Sequence, residues 1–256
     1  MKIIQFGIGR WGANHTRILE ELGHQVETHD IEDNYWHILD SNHQMVDVVV
    51  VTTSSENHWP IAQYAMDLGL PVFVEKPALL KKSQLIELRK REDKRLLMVG
   101  HQYLFLPQIN ALKGICNDMF SVRNSQNPRT EGVLFALMVQ DVAIAHYVMG
   151  VEWFECAVAE GSHSHLHVKL ENKNKQVELH ATFGGELPSC QYFYTSDKKV
   201  ILTPVNYHKQ DLLKSELETF CAYVQKSFPI KFNGTTYAIQ VMETCFKIKD
   251  KLEGKS

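Results

Sequence analysis

The stretch KIIQFGIGRWGANHTRILEEL, residues 2–22, decides how the rest of the chain is read. Its first part is a short apolar run, a strand ending near Phe6. Its last part puts Trp11, His15, Ile18 and Leu22 on one stripe of a helix, with Gly23 as the stop. Between them Gly7, Gly9 and Gly12 stand in a G-x-G-x-x-G spacing where strand gives way to helix. Glycines there allow a tight turn and a close backbone approach. A pyrophosphate can then rest on the helix N-terminus, where free N–H groups and the dipole favour an anion. The loop Gly7, Ile8, Gly9, Arg10, Trp11 and Gly12 is the expected phosphate cradle. Asp30 ends the next strand, HQVETHD, about 20 residues on, where an acid accepts from the ribose hydroxyls of NAD and repels the extra phosphate of NADP. NAD is thus favoured over NADP. An ordinary turn residue is the plainer reading of Asp30, and Asp33 competes for the role.

Outward from this stretch, short apolar runs alternate with amphipathic ones: VDVVVVTT (46–53), then NHWPIAQYAMDLG (57–69) with Ile61, Ala62, Ala65 and Met66 at helical spacing, then PVFVE (71–75). The polar helix SQLIELRKREDKR follows, with Ser83 as candidate cap, and leads into the strand LLMVG. Such alternation builds a parallel sheet from βαβ units. After about residue 105 the texture changes. PQINALKGICNDM and VLFALMVQDVAIAHYVMG read as helices, the second closing on Gly150. Residues 153–203 alternate with period two, Val168 and Leu170 and then Val177, Leu179, Ala181 and Phe183 falling on one face, the pattern of an antiparallel sheet with one wet side. Two helices, from about 211 to 225 and from about 236 to 252, end the chain. The expected fold is α/β: a doubly wound Rossmann domain over 1–105, then an α+β domain over 106–256 with a mainly antiparallel open sheet. The last helices are free in this reading to pack back on the first domain.

Composition narrows the function classes. A net charge of −3 from 27 basic and 30 acidic side chains, with no dense Lys/Arg tract, argues against nucleic acid and membrane surfaces as partners. The apolar runs are too short to span a bilayer, and the opening residues lack a signal-peptide pattern, so a cytoplasmic protein is expected. Five cysteines with no CxxC spacing read as reduced thiols. His163, His165 and His167 recur at every second residue, joined by His180 on the polar face of the sheet, and the default is a solvated or subunit-facing surface with no metal site.

Three ordered segments, FGIGRWGANH, VVVVTTSSENHWPIAQYAMDLGLPVFVEKP and MVGHQYLFLP, resemble the glucose-fructose oxidoreductase, inositol dehydrogenase and rhizopine catabolism (Gfo/Idh/MocA) family of nicotinamide enzymes. The closing helices resemble that family's too. Within it, GIGRWGANHTRILEEL and RTEGVLFALMVQDVAIAHYVMG are most similar to the nucleotide-sugar 3-dehydrogenases. The resemblance implies a cis Lys76–Pro77 peptide that aims Lys76 at the nicotinamide and the substrate hydroxyl as acid/base partner, its pKa lowered by burial and by the positive ring. It also implies that Thr53, Ser54, His58, Glu75, Lys76 and Pro77 contact the cofactor, with a capping or packed role as the alternative for His58, and that His101, Tyr103 and Gln140 face a small-molecule substrate, with packing as the equal alternative for His101 and Tyr103. Self-association as a dimer or tetramer through the open sheet goes with it.

The chain departs from that pattern in the helix holding Gln140 and Asp141. The family places a histidine where Gln140 stands and, in many members, an acid where Ala136 stands. Glutamine hydrogen-bonds a sugar hydroxyl but moves no proton. Asp141 and His101 are the remaining candidates, since His146 lies about 120° around the helix from Gln140. Only about 15 residues separate Asp30 from VDVVVV, enough for a minimal crossover with a helix near Tyr35 to Leu39 but too few for the family's further helix and strand. The segment from Met119 to Glu131 is short as well. Two functions follow as expectations: an NAD-dependent oxidoreductase of a sugar or nucleotide-sugar with Lys76, Gln140 and Asp141 at its catalytic centre, or a dinucleotide-binding regulator that has lost catalysis. A non-sugar ketone or imine is the weaker third substrate class.

Overall fold

The computed structural model describes residues 1–30, 33–91, 97–186, 188–203, 209–227 and 233–255. It divides into two compact units, Met1–Gln102 with Lys209–Ile239, and Tyr103–His208 with Gln240–Ser256.

The first unit is built on five parallel strands in the order β2-β1-β3-β4-β5: β1 Lys2–Phe6, β2 Gln25–His29, β3 Val48–Val51, β4 Val72–Glu75 and β5 Leu97–Gly100. β3, β4 and β5 are buried along their whole length, which explains their unbroken apolar runs. The connecting helices are α1 Arg10–Glu21, α2 Tyr35–Asn42, α3 Ser55–Asp67 and α4 Lys82–Lys90. α2 is the whole crossover helix between Asp30 and β3, as the short spacing requires.

Ser83 is not the cap of α4. That helix starts one residue earlier, and the side chain of Gln84 folds back so that its Oε1 accepts from the backbone N–H of Leu80 and of Lys81, both at 2.9 Å. The end of that stretch, 92–96, lies outside the described residues. α7, Lys209–Gln225, lays Leu213, Leu217 and Phe220 against this unit, with Phe220 5.7 Å from Phe73 and the helix in contact with α1.

The second unit carries a six-stranded sheet, order β11-β10-β6-β9-β8-β7: β6 Asp118–Ser125, β7 Glu155–Gly161, β8 His165–Asn172, β9 Lys175–Phe183, β10 Cys190–Tyr194 and β11 Lys199–Leu202. All pairs are antiparallel except β6 with β9. Two sequence expectations are corrected here. The helix expected over PQINALKGICNDM is only α5, Pro107–Asn110, and its last residues instead begin β6, where Met119, Ser121 and Arg123 alternate inward. The alternation was hidden because Asp118 and Ser121 are polar at a strand's start and at its centre. The long helix opens on a π turn, Leu134–Met138, before α6, Val139–Met149, and stops at Gly150 in the left-handed conformation (φ 63). The final helix, α8, spans Thr235–Leu252. Among the described residues no helix is long and apolar enough to cross a membrane, and all five cysteines are free.

Candidate nucleotide-binding and active site

In the first unit four strand ends meet at the carboxyl edge of the sheet: β1 runs into Gly7, β3 into Thr52 and Thr53, β4 into Lys76, and β5 into His101. The strand order reverses its winding between β1 and β3, and in open α/β sheets ligands bind in the crevice at such a switch point. The glycine loop sits over it. Gly7 has φ +98, and a Cβ there would stand 2.6 Å from the Thr52 carbonyl carbon and the Thr53 nitrogen. At Gly12 a Cβ would collide with the Gly7 carbonyl oxygen and lie 2.8 Å from Thr52 Oγ1. A Cβ on Gly9 would meet nothing within 4 Å. The three glycines therefore divide the work. Two let α1 lie directly on β1 and β3, and the third leaves open space at the helix mouth, the room an anion needs. Gly9 also caps α1 without a side chain, so no oxygen competes for the first-turn N–H groups.

The loop is held from below by residues the sequence reading passed over. Buried Gln5 donates from Nε2 to the carbonyls of Gly7 (3.0 Å) and Gly12 (2.9 Å), while its Oε1 accepts from Thr16 Oγ1 at 3.1 Å. Thr52 Oγ1 donates to the Gly7 carbonyl at 2.8 Å. A polar residue inside an otherwise apolar first strand was the available signal. Asp30, at the exposed end of β2, has its N–H held by Asp33 Oδ2 at 2.8 Å.

At the tip of β4 the Lys76–Pro77 peptide is cis. Glu75 points inward beneath it. Its Oε1 accepts from Trp11 Nε1 at 2.8 Å and lies 3.0 Å from His15 Nε2, and its Oε2 accepts from the Lys76 backbone N–H at 3.2 Å. Burial alone would raise this carboxyl, but the contacts of His15 and Trp11 and the charge of Lys76 outweigh it and hold Glu75 below the usual carboxylate range. His15 Nδ1 meanwhile donates to the Trp11 carbonyl at 3.0 Å, which fixes the ring.

A second acid, Glu216 on α7, is fully buried. Burial first, and the Glu75 charge second, raise its pKa well above the ordinary value. Its sequence signal was a carboxyl set among Leu213, Leu217 and Phe220 on one helix face.

His58 is 2% exposed, with Nδ1 2.8 Å from the Pro77 carbonyl and Nε2 3.0 Å from the Thr53 carbonyl. Burial lowers its pKa in spite of those acceptors. It ties the end of β3 to the loop after β4, and Thr53 and Ser54, at the entry of α3, stay at the crevice. His101 is buried too, its ring centre 6.5 Å from that of Tyr237 in an edge-to-face arrangement.

In the second unit Gln140 and Asp141 lie in the first turn of α6, both buried. Asp141 is 1% exposed and takes a two-pronged bond from Arg123 of β6, Nε to Oδ2 and Nη2 to Oδ1, each 2.7 Å. The Arg123 guanidinium in turn stacks 4.9 Å from the centre of the Tyr103 ring. Both carboxylate oxygens are thereby engaged, an arrangement suited to anchoring a helix rather than passing a proton. His146 sits on another side of α6, bonded through Nδ1 to the Val151 carbonyl (2.8 Å) and through Nε2 to Thr244 of α8 (3.0 Å). Burial pushes its pKa down to about 4, which keeps it neutral and structural.

The first unit has a Rossmann-type fold with a glycine loop, and the second is an α+β unit. Residues 12–101 match the Gfo/Idh/MocA family, described as an oxidoreductase family with an NAD-binding Rossmann fold. The match runs from within α1 to just past β5, in agreement with the resemblance in the sequence motifs. No curated protein sequence matches the chain. Among solved structures, a probable dehydrogenase from Thermotoga maritima is 17% identical with a TM-score of 0.82, covering 100% of this chain and 98% of that one. UDP-N-acetylglucosamine 3-dehydrogenase from Acidithiobacillus ferrooxidans is 18% identical, with a TM-score of 0.81 and coverage of 100% and 98%. Myo-inositol dehydrogenase from Lactobacillus casei, solved with NAD(H) and myo-inositol, is 13% identical, with a TM-score of 0.78 and coverage of 100% and 95%. At such identities the likeness is one of fold.

Proposed function

We propose that the chain is an oxidoreductase using NAD in preference to NADP and acting on a hydroxyl or carbonyl of a sugar or nucleotide-sugar. The observation that carries this is the pairing, at one sheet edge, of an open helix mouth at Gly9 with a lysine at the tip of β4 whose neighbouring carboxylate is already bonded. Gly9, Arg10 and Trp11 would hold the pyrophosphate, Asp30 the adenosine ribose, and Thr53, Ser54 and Pro77 the remainder, with His58 positioning Thr53 and Pro77. The nicotinamide supplies the hydride acceptor. In an oxidation, Lys76 Nζ, as the neutral amine, would take the substrate hydroxyl proton, and in the reverse direction it would return it. Glu75, held ionised by Trp11 and His15, sets the field at that amine. Gln140 and Tyr103 are assigned to hydrogen bonds with substrate hydroxyls, and Asp141 to fixing Arg123.

The test is NAD reduction over a panel of UDP-sugars and cyclitols by the parent chain and by Lys76→Met. Turnover that falls at least about a hundredfold in the variant, with cofactor affinity kept, supports the reading. The second reading, a dinucleotide-binding regulator, is favoured by Gln140 at the family's histidine position and by the closed Arg123–Asp141 pair. Cofactor binding without turnover on any substrate would establish it. Self-association through the open sheet belongs to the same proposal and is read by light scattering.

A further inference from the structure

The open face of the second sheet brings together side chains that sequence spacing only half suggested. His163 lies outside β8 and bonds the Arg129 carbonyl, and His165 sits at the strand's start against Ser162. His167 of β8, by contrast, stands directly opposite His180 of β9 in the antiparallel register, the two rings stacked 4.4 Å apart at 9°. Glu178, two residues before His180 on the same face, places Oε1 2.9 Å from His167 Nε2 and 3.3 Å from His180 Nε2. The three ligand-type atoms all lie within 4.8 Å of one another.

We propose that His167, Glu178 and His180 form a binding site for a divalent transition-metal cation of the zinc class. Two imidazoles and one carboxylate are the donor set that zinc, nickel and copper accept, whereas calcium and magnesium require oxygen ligands throughout. Tetrahedral ligands about 2.0–2.1 Å from zinc stand about 3.3 Å apart, close to both histidine-to-glutamate separations already present. A small opening of the stacked rings admits the ion, and water fills the fourth position. The backbone needs no rearrangement, because the ligands project from adjacent paired strands.

Without metal, Glu178 Oε1 accepts a hydrogen bond from the Nε2–H of each ring. On binding, each ring presents the Nε2 lone pair to the cation, its proton moving to Nδ1 or, from a doubly protonated ring, to water. Lys169 Nζ lies 3.9 Å from Glu178 Oε1. The other groups facing the site are Glu160 of β7, in register with His167, and Phe120 of β6, 5.4 Å from His180. All three side chains belong to the second unit.

The experiment uses the untagged full chain, stripped with chelator and titrated with zinc chloride by calorimetry beside three variants, each checked for its fold by circular dichroism. The expected result is one saturable equivalent, weakened on the order of tenfold or more in His167→Gln and in Glu178→Gln, and unchanged when His163 and His165 are both replaced by Gln. Equal binding in the parent and in the two ligand variants, or no saturable binding in the parent, overturns the site.

Discussion

At the residue scale the three loop glycines are not equivalent, although they belong to one motif. Gly12→Ala drives a methyl into the Gly7 carbonyl and should cost about 3 kcal/mol or more of stability, read by urea unfolding. Gly9→Ala adds a methyl to open space with φ −59, so the fold should survive with its midpoint unchanged while NAD affinity, by calorimetry, falls about tenfold. A variant pair behaving the other way round would show that the loop does not face a ligand. The Arg123–Asp141 pair gives a second test. Arg123→Met leaves a carboxylate buried and unpaired, at a cost of about 3–5 kcal/mol in unfolding experiments, and adding Asp141→Asn should recover much of that loss. Lys76, Asp30 and the glycines were legible as single letters because their chemistry is read from motif position. Gln5 and Glu216 were not, since a polar residue in an apolar run announces burial only once its partners are known.

At the element scale, α6 illustrates how a histidine is turned from chemistry to packing. His146 joins it to α8 through Thr244 and to the following loop through the Val151 carbonyl, and its pKa is about 4 against an ordinary 6.5. The unfolded chain therefore takes up a proton that the folded chain refuses between these values. Stability is complete above the unfolded pKa and is lost as pH falls from about 6.5 toward 4, by about 3 kcal/mol in all. His146→Gln should flatten that part of the stability-versus-pH curve measured by denaturant titration, while carboxylates such as Glu75 still produce their own loss at lower pH. A curve as steep as the parent's would show that His146 is not the group responsible. The elements themselves were mostly readable: β1, α1, β3, α3, β4 and the period-two strands β8 and β9 follow directly from apolar spacing. β6 was not. Its residues carry too few apolar side chains to outweigh the helical look of what precedes them, and its place as the parallel partner of β9 depends on strands more than fifty residues away.

At the scale of the whole molecule, nucleotide binding should appear as added stability, because a ligand that binds only the folded chain stabilises it by mass action. At a hundred times the dissociation constant this amounts to about 2.7 kcal/mol. NAD should raise the melting temperature more than NADP at equal concentration, and Asp30→Ser should narrow the gap, with scanning calorimetry as the measurement. No rise with either coenzyme would remove the basis of the proposed function. What the sequence determined alone was local and periodic: the strand-glycine-helix opening, the alternation that makes one parallel and one antiparallel-rich sheet, and the lysine before a proline at a strand's tip. Such features need only near neighbours along the chain, and their spacing already encodes which face is buried. What only tertiary structure decided was which distant groups meet. Glu75 bonds Trp11 and His15, Glu216 is buried where the Glu75 charge is felt, Arg123 occupies Asp141, and Glu178 completes a cluster with His167 and His180 that histidine spacing alone assigned to solvent. A side chain's protonation and availability are set by its neighbours in space, and those neighbours are fixed only when separate strands and helices have packed.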